Sequence, residues 1–187
     1  MKQSIVSEEA VIEEVKKAVA DTLNIDMETI KPEHSLIRDL NAESLDFLDI
    51  NYRLEQAFGI RMARHFILEH IEEMFGEGSA IDENSQLTAK AVSLLTHRMG
   101  EDIPELKAGM DMDEVPALIT IQSMARGVMD ILDSLPESCP ACGAKTWKTA
   151  EGSRISCGSC SAPAPFAGVD DLIRQWLTDV QKEHRIF

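Results

Sequence analysis

Apolar positions recur with a helical period over most of this chain. In about residues 5–20, Ile12, Val15 and Val19 fall at helical spacing behind Ser7, a residue suited to an N-cap, with Glu8 and Glu9 in the first turn. The pattern breaks from Asp21 to Glu43, where Pro32 and the run KPEHS mark a long loop. Its Ile25, Ile30, Leu36 and Leu40 predict an ordered segment pinned to a core. A second helix is predicted from Ser44 to about Phe58, stopped by Gly59. It carries two stripes read as buried, Leu48 with Tyr52, and Phe47 with Ile50, Leu54 and Phe58.

ARHFILEHIEEMFGEG predicts a third helix with Phe66, Ile67, His70, Ile71 and Met74 on one side. SQLTAKAVSLLTHRM predicts a fourth behind Thr88, with Leu87 and Val92 as a hydrophobic staple. Beyond Gly100, the run DEVPALITIQSMARGVMDILDSL reads as one helix capped by Asp113, with Pro116 in its first turn. Val169, Leu172, Ile173, Trp176, Leu177 and Val180 stripe a final helix, opened by Asp170 and Asp171 and closed by Lys182 and Arg185.

Charge narrows the function classes. The 187 residues hold 33 Asp and Glu against 18 Lys and Arg, a net charge of −15, which repels phosphate backbones and anionic lipid and favours basic protein surfaces. No apolar run is long enough to span a bilayer, and the opening MKQSIVSEEAVIEE turns acidic where a signal peptide needs its apolar core. A cytoplasmic protein with neither a nucleic-acid partner nor a transmembrane segment is expected.

In a reducing compartment, four cysteines in two close pairs point to metal rather than disulfides. CPACGAKTWKTAEGSRISCGSC spaces Cys139 and Cys142 from Cys157 and Cys160 by fourteen residues. Two such pairs supply four thiolates to a tetrahedral zinc, with Gly143 and Gly158 easing the turns, and KTWKTA and SRIS predict a short hairpin between them. The segment resembles a zinc ribbon. Four thiolates close the coordination sphere, so the site reads as structural. His34, His65, His70, His97 and His184 form no ligand spacing.

Ser44 raises a separate question, because a serine ahead of a helix is by default a cap. Around it, however, DLNAESLDFLDINYRLEQAFGI follows a long loop, opens an acidic helix and ends in Phe58-Gly59-Ile60. In that order the sequence resembles the acyl carrier protein family over roughly residues 5–98. The resemblance implies a 4′-phosphopantetheine arm on Ser44, transferred from coenzyme A, whose thiol holds acyl groups as thioesters. A hydroxyl at a loop–helix junction suits this, being reachable and near the positive end of the helix dipole.

It also implies a docking face of Glu43, Asp46, Asp49 and Glu55, and Leu48, Leu54, Phe58 and Ile60 as acyl-chain contacts or plain core. Expected partners are a phosphopantetheinyl transferase and acyl-loading, acyl-transferring or condensing enzymes of a lipid or secondary-metabolite pathway. Glu43 stands where the family has aspartate, Asn41 where glycine is common, Arg53 interrupts the acidic face, Arg61 and Arg64 make the next segment basic, and the stretch from Gly59 to Thr88 is long. These departures point to a specialised carrier, not the housekeeping one of fatty acid synthesis.

The expected fold class is mainly α: a four-helix acyl-carrier-like bundle over 1–100, a helical extension over 101–137, and a zinc-ribbon hairpin with a C-terminal amphipathic helix over 138–187. No nucleophile–base–acid set appears elsewhere, so no enzyme activity is expected. The alternatives are a peptidyl or polyketide carrier, or an adaptor that keeps the carrier fold and uses the ribbon to bind proteins.

Overall fold

The computed structural model describes residues 2–99, 103–150 and 152–187. The described chain is mainly helical: α1 (Glu8–Leu23), α2 (Ser44–Phe58), α3 (Ile67–Phe75), α4 (Ala89–Met99), α5 (Ile121–Leu132) and α6 (Val169–His184), with short 3-10 segments at Met27–Thr29 and Met112–Leu118. A two-stranded antiparallel hairpin, β1 (Trp147–Thr149) and β2 (Ile155–Cys157), pairs Trp147 with Cys157 and Thr149 with Ile155. It bears the cysteines; Glu151, expected at its turn, lies outside the described residues.

These elements sort into two compact units that interleave along the chain and cut across the linear segments 1–100, 101–137 and 138–187. The first comprises residues 1–62 and 119–168. Its α1 packs against both α2 and α5, burying Val11, Val15, Ala18 and Val19 against Ile50, Leu54 and Phe58 of α2 and Ile121, Val128 and Ile131 of α5. Ser7 caps α1 as expected, its Oγ accepting the Ala10 N–H at 3.2 Å.

The 21–43 loop is anchored through buried Ile30 and Leu36, whereas Ile25 is exposed and does not pin it. Backbone pairing adds to that anchor. The Leu36 N–H donates to the Ile119 carbonyl at 3.0 Å and the Ile121 N–H to the His34 carbonyl at 3.1 Å. This pairing explains why the single helix expected from Asp113 is broken. Residues 112–118 make a 3-10 segment containing Pro116, and α5 starts afresh with Thr120 as N-cap, its Oγ1 accepting the Ser123 N–H at 3.1 Å. Extended backbone held against the loop cannot also continue a helix.

The second unit comprises residues 63–118 and 169–187. Leu68, Ile71, Ala80, Leu87, Leu94, Leu106, Leu118, Ile173 and Leu177 form its core. Phe66 is not on the buried side of α3, as expected, but is its exposed N-cap residue. The Gly-rich turn after α3 is organised by Glu72, whose carboxylate accepts the N–H groups of Gly78, Ala80 and Ile81. Thr88 caps α4, its Oγ1 accepting the Ala91 N–H at 3.1 Å. His70 is fully buried, with Nε2 3.0 Å from Asp170 of α6.

Candidate functional site

The head of α2 is built by capping. Glu43, not Ser44, occupies the N-cap position with extended backbone (φ −101°, ψ 169°). Its N–H donates to Asp46 Oδ2 at 2.7 Å, so a carboxylate three residues on closes the helix start. Ser44 is therefore the first helical residue, exposed, and no hydrogen bond ties its hydroxyl to a described residue. The capping function expected for that serine by default is performed without it. At the other end Gly59 adopts the left-handed conformation (φ 71°, ψ 29°) and its N–H closes on the Glu55 carbonyl, the geometry glycine accepts at least cost.

The carboxylates read as a docking face each have a place in the fold. Asp46 holds the helix start. Asp49 accepts from Thr22 Oγ1 of α1 and from Arg53 Nε, each at 2.8 Å, and Arg53 also lies 3.6 Å from Asp21. The Arg53 and Thr22 hydrogen bonds hold the Asp49 carboxyl below its ordinary range. Glu55 Oε1 accepts the Met62 N–H at 2.9 Å. Glu43 is exposed.

The four residues named as acyl-chain contacts divide between two environments. Leu54, Phe58 and Ile60 are buried, whereas Leu48 is 65% exposed. Leu48 and Tyr52 are not the buried stripe expected; with Leu45 they form an exposed apolar row beside Ser44 (Leu45 76%, Tyr52 59%). At 3.6 residues per turn this row lies roughly 180° around the helix from Ile50 and Leu54. Sequence reading missed it, although the signal was present: a helix apolar on two opposite faces offers one of them to something other than its own core.

The cysteine site is two copies of one turn. In the first knuckle the Gly143 N–H donates to the Cys139 carbonyl and the Cys139 N–H to the Ala144 carbonyl; in the second, Ser161 and Ala162 repeat both bonds around Cys157. Gly143 (φ +75°) and Ser161 (φ +60°) take the matching left-handed positions. Gly158 therefore serves differently from the expectation. A Cβ there would meet the Thr146 carbonyl oxygen at 2.9 Å, so this glycine allows the two knuckles to approach.

One sulfur from each of Cys139, Cys142, Cys157 and Cys160 lies within 4.8 Å of all the others. Cys139–Cys160 and Cys142–Cys157 are 3.7 and 3.6 Å apart. N–H groups of Cys160 and Ser159 lower the Cys157 thiol to about 6. An Ala144 N–H also lowers Cys142, but the sulfurs of Cys160, Cys157 and Cys139 outweigh it and push that thiol up to about 12. Four thiols so crowded cannot all ionise without a cation, and a divalent soft-ligand ion reverses that constraint. The donor set and spacing can bind zinc.

Comparison with known proteins places these features. A family model described as "Phosphopantetheine attachment site" matches residues 13–72, from within α1 through the loop and all of α2 into α3; 4′-phosphopantetheine is the prosthetic group such a domain carries. The acyl carrier protein AcpXL of Rhizobium meliloti is 40% identical over 74 residues, 40% of this chain and 74% of that protein. AcpXL of Brucella melitensis is 36% identical over 92 residues, 47% of this chain and 95% of that protein. The acyl carrier protein of Thermosynechococcus vestitus is 44% identical over 52 residues, 28% of this chain and 64% of that protein. No solved structure matches. The four cysteines lie beyond the matched family segment, and among the described residues no helix is long and apolar enough to cross a membrane. With an exposed serine at the head of α2 and a relative matched over nearly its whole length, the chain belongs to the acyl carrier protein family.

Proposed function

We propose that this is a specialised acyl carrier whose Ser44 hydroxyl is the attachment point of 4′-phosphopantetheine. The observation that carries the reading is the division of labour at the head of α2: Glu43 and Asp46 close the helix start, leaving Ser44 exposed. The serine is thus available for substitution. Its hydroxyl oxygen loses the proton and attacks the pyrophosphate of coenzyme A, adenosine 3′,5′-bisphosphate leaves, and the phosphodiester so formed sits at the positive end of α2, where the amides of the first turn favour an anion. When attached, the arm supplies a terminal thiol that holds acyl groups as thioesters.

The protein's own residues then present the load without performing a reaction. Glu43, Asp46, Asp49 and Glu55 steer basic partner surfaces through charge, and the exposed row of Leu45, Leu48 and Tyr52 gives those surfaces an apolar contact. The partners in this reading are a phosphopantetheinyl transferase and enzymes that load, transfer or condense acyl groups in the cytoplasm. Glu43 in the place of aspartate, and Arg53 paired to Asp49 within the acidic face, support a restricted partner set. Cys139, Cys142, Cys157 and Cys160 hold a structural zinc.

Intact mass spectrometry after incubation with coenzyme A and a transferase is the test. The wild-type chain gains one arm and Ser44→Ala gains none. A modified Ser44→Ala overturns the site. A wild-type chain that stays unmodified across a panel of transferases favours the adaptor reading.

A further inference from the structure

Among the described residues, the side chain of Arg154 joins the cysteine hairpin to α2 by hydrogen bonds. Arg154, immediately before β2, donates from Nε to the Gln56 carbonyl at 2.8 Å and from Nη2 to the Gln56 side-chain oxygen at 3.4 Å. Its Cγ lies 3.8 Å from where a Cβ on Gly59 would sit. Gln56 is in the last turn of α2, whose final four carbonyls have no amide partner within the helix. The Glu55 carbonyl takes the Gly59 N–H; the next one takes a guanidinium from residues 98 positions away. A cation at this end also opposes the negative end of the helix dipole.

Around Arg154 the Ala150 N–H donates to its carbonyl at 2.7 Å and the Ala164 N–H to the Ile155 carbonyl at 3.0 Å, but apolar support is slight. The hairpin strands are three residues each, and among the described residues between Cys139 and Cys160 only Ile155 joins Cys139 and Cys157 as a buried apolar side chain. A hairpin this short is not stable alone, and small metal sites draw their folding free energy from the ion. The hairpin turn, α1 and the end of α2 line a cleft of about 310 Å³, and Arg154 makes its hydrogen bonds across that cleft.

We infer that the hairpin is a metal-dependent C-terminal cap for α2: zinc fixes β2, β2 fixes Arg154, and Arg154 closes the end of the helix whose other end carries Ser44. The metal state is thereby coupled to the order of the carrier helix, although the cysteines lie outside the matched family segment. The inference rests on the reading that the four thiols hold zinc, and Arg154 is a positioning residue in it.

Hydrogen exchange on the full chain, read by mass spectrometry over residues 52–62, tests it, with zinc measured in the same samples. Zinc removal and Arg154→Ala should each speed exchange at the end of α2 by roughly two- to tenfold, the range of one net hydrogen bond. Arg154→Ala should retain its zinc, and Arg154→Lys should recover part of the protection. Chelation of Arg154→Ala should add nothing further at α2. Unchanged exchange in zinc-loaded Arg154→Ala overturns the cap. An equal effect of chelation with and without Arg154 shows another route and also overturns it. A wild-type chain that binds no zinc removes the metal reading itself, which is distinguishable because Arg154→Ala still reports on the hydrogen bond.

Discussion

Cutting the chain after residue 100 should unfold the carrier half, although every residue of the matched family segment, 13–72, is retained. The cut removes α5, which packs on α1 with Ile121, Met124, Val128, Ile131 and Leu132, all no more than 8% exposed. At about 1.5–3 kcal/mol for each large apolar side chain buried, these five contribute about 7–15 kcal/mol. A compact unfolded state trims that by roughly 10–40%, and the remainder still matches the ~5–15 kcal/mol that stabilises an ordinary domain. The same cut frees the Leu36 N–H, which donates to the Ile119 carbonyl. It also removes Ile173 and Leu177 from the second core. Both tryptophans, Trp147 and Trp176, are lost, so the assay is urea titration followed by far-ultraviolet circular dichroism. The full chain should show a cooperative transition, and the fragment a shallow one with little helix in water. Ile131→Ala in the full chain gives an intermediate point, about 2–5 kcal/mol less stable. A fragment of residues 1–100 that unfolds cooperatively near the full-length midpoint would refute the reasoning.

Ser44→Ala should cost less than about 0.5 kcal/mol in urea unfolding, because the cap is made by its neighbours; a loss above 1 kcal/mol would mean the hydroxyl supports the helix after all. Cys157→Ser should release zinc and make residues 139–160 protease-sensitive, while exchange protection at Ile71 and Leu94 in the second unit stays at the wild-type level. Leu48→Asp and Tyr52→Ala should leave the melting temperature nearly unchanged and slow acyl transfer to partner enzymes severalfold; a large drop in stability would return these residues to the core. Asp49 has its carboxyl held below the ordinary range by Arg53 and Thr22. Its stabilising effect is therefore present above the unfolded aspartate value of about 4 and lost as pH falls through the lower folded value. Asp49→Asn should flatten that acid limb in pH-dependent unfolding.

What the sequence determined by itself is local. Helix α2 runs from Ser44 to Phe58 with Gly59 behind it, as its period and stop signal specify, because capping and left-handed termination depend on residues a few positions apart. The cysteine spacing likewise specifies a closed four-thiol cluster, since two short knuckles can each be formed within one turn. Apolar periodicity names the faces of a helix but not what covers them. Leu48 and Tyr52 satisfy the same spacing as Ile50 and Leu54, and only the tertiary structure decides that α1 packs on one side of α2 while the other is left to solvent. The break before α5 was hidden for the same reason: Ile119 and Ile121 are paired with Leu36 and His34 from more than eighty residues earlier. So was the role of Arg154, whose acceptor is 98 positions away. Contacts of that range carry no periodic signature, because the chain between them can take any path that brings their ends together.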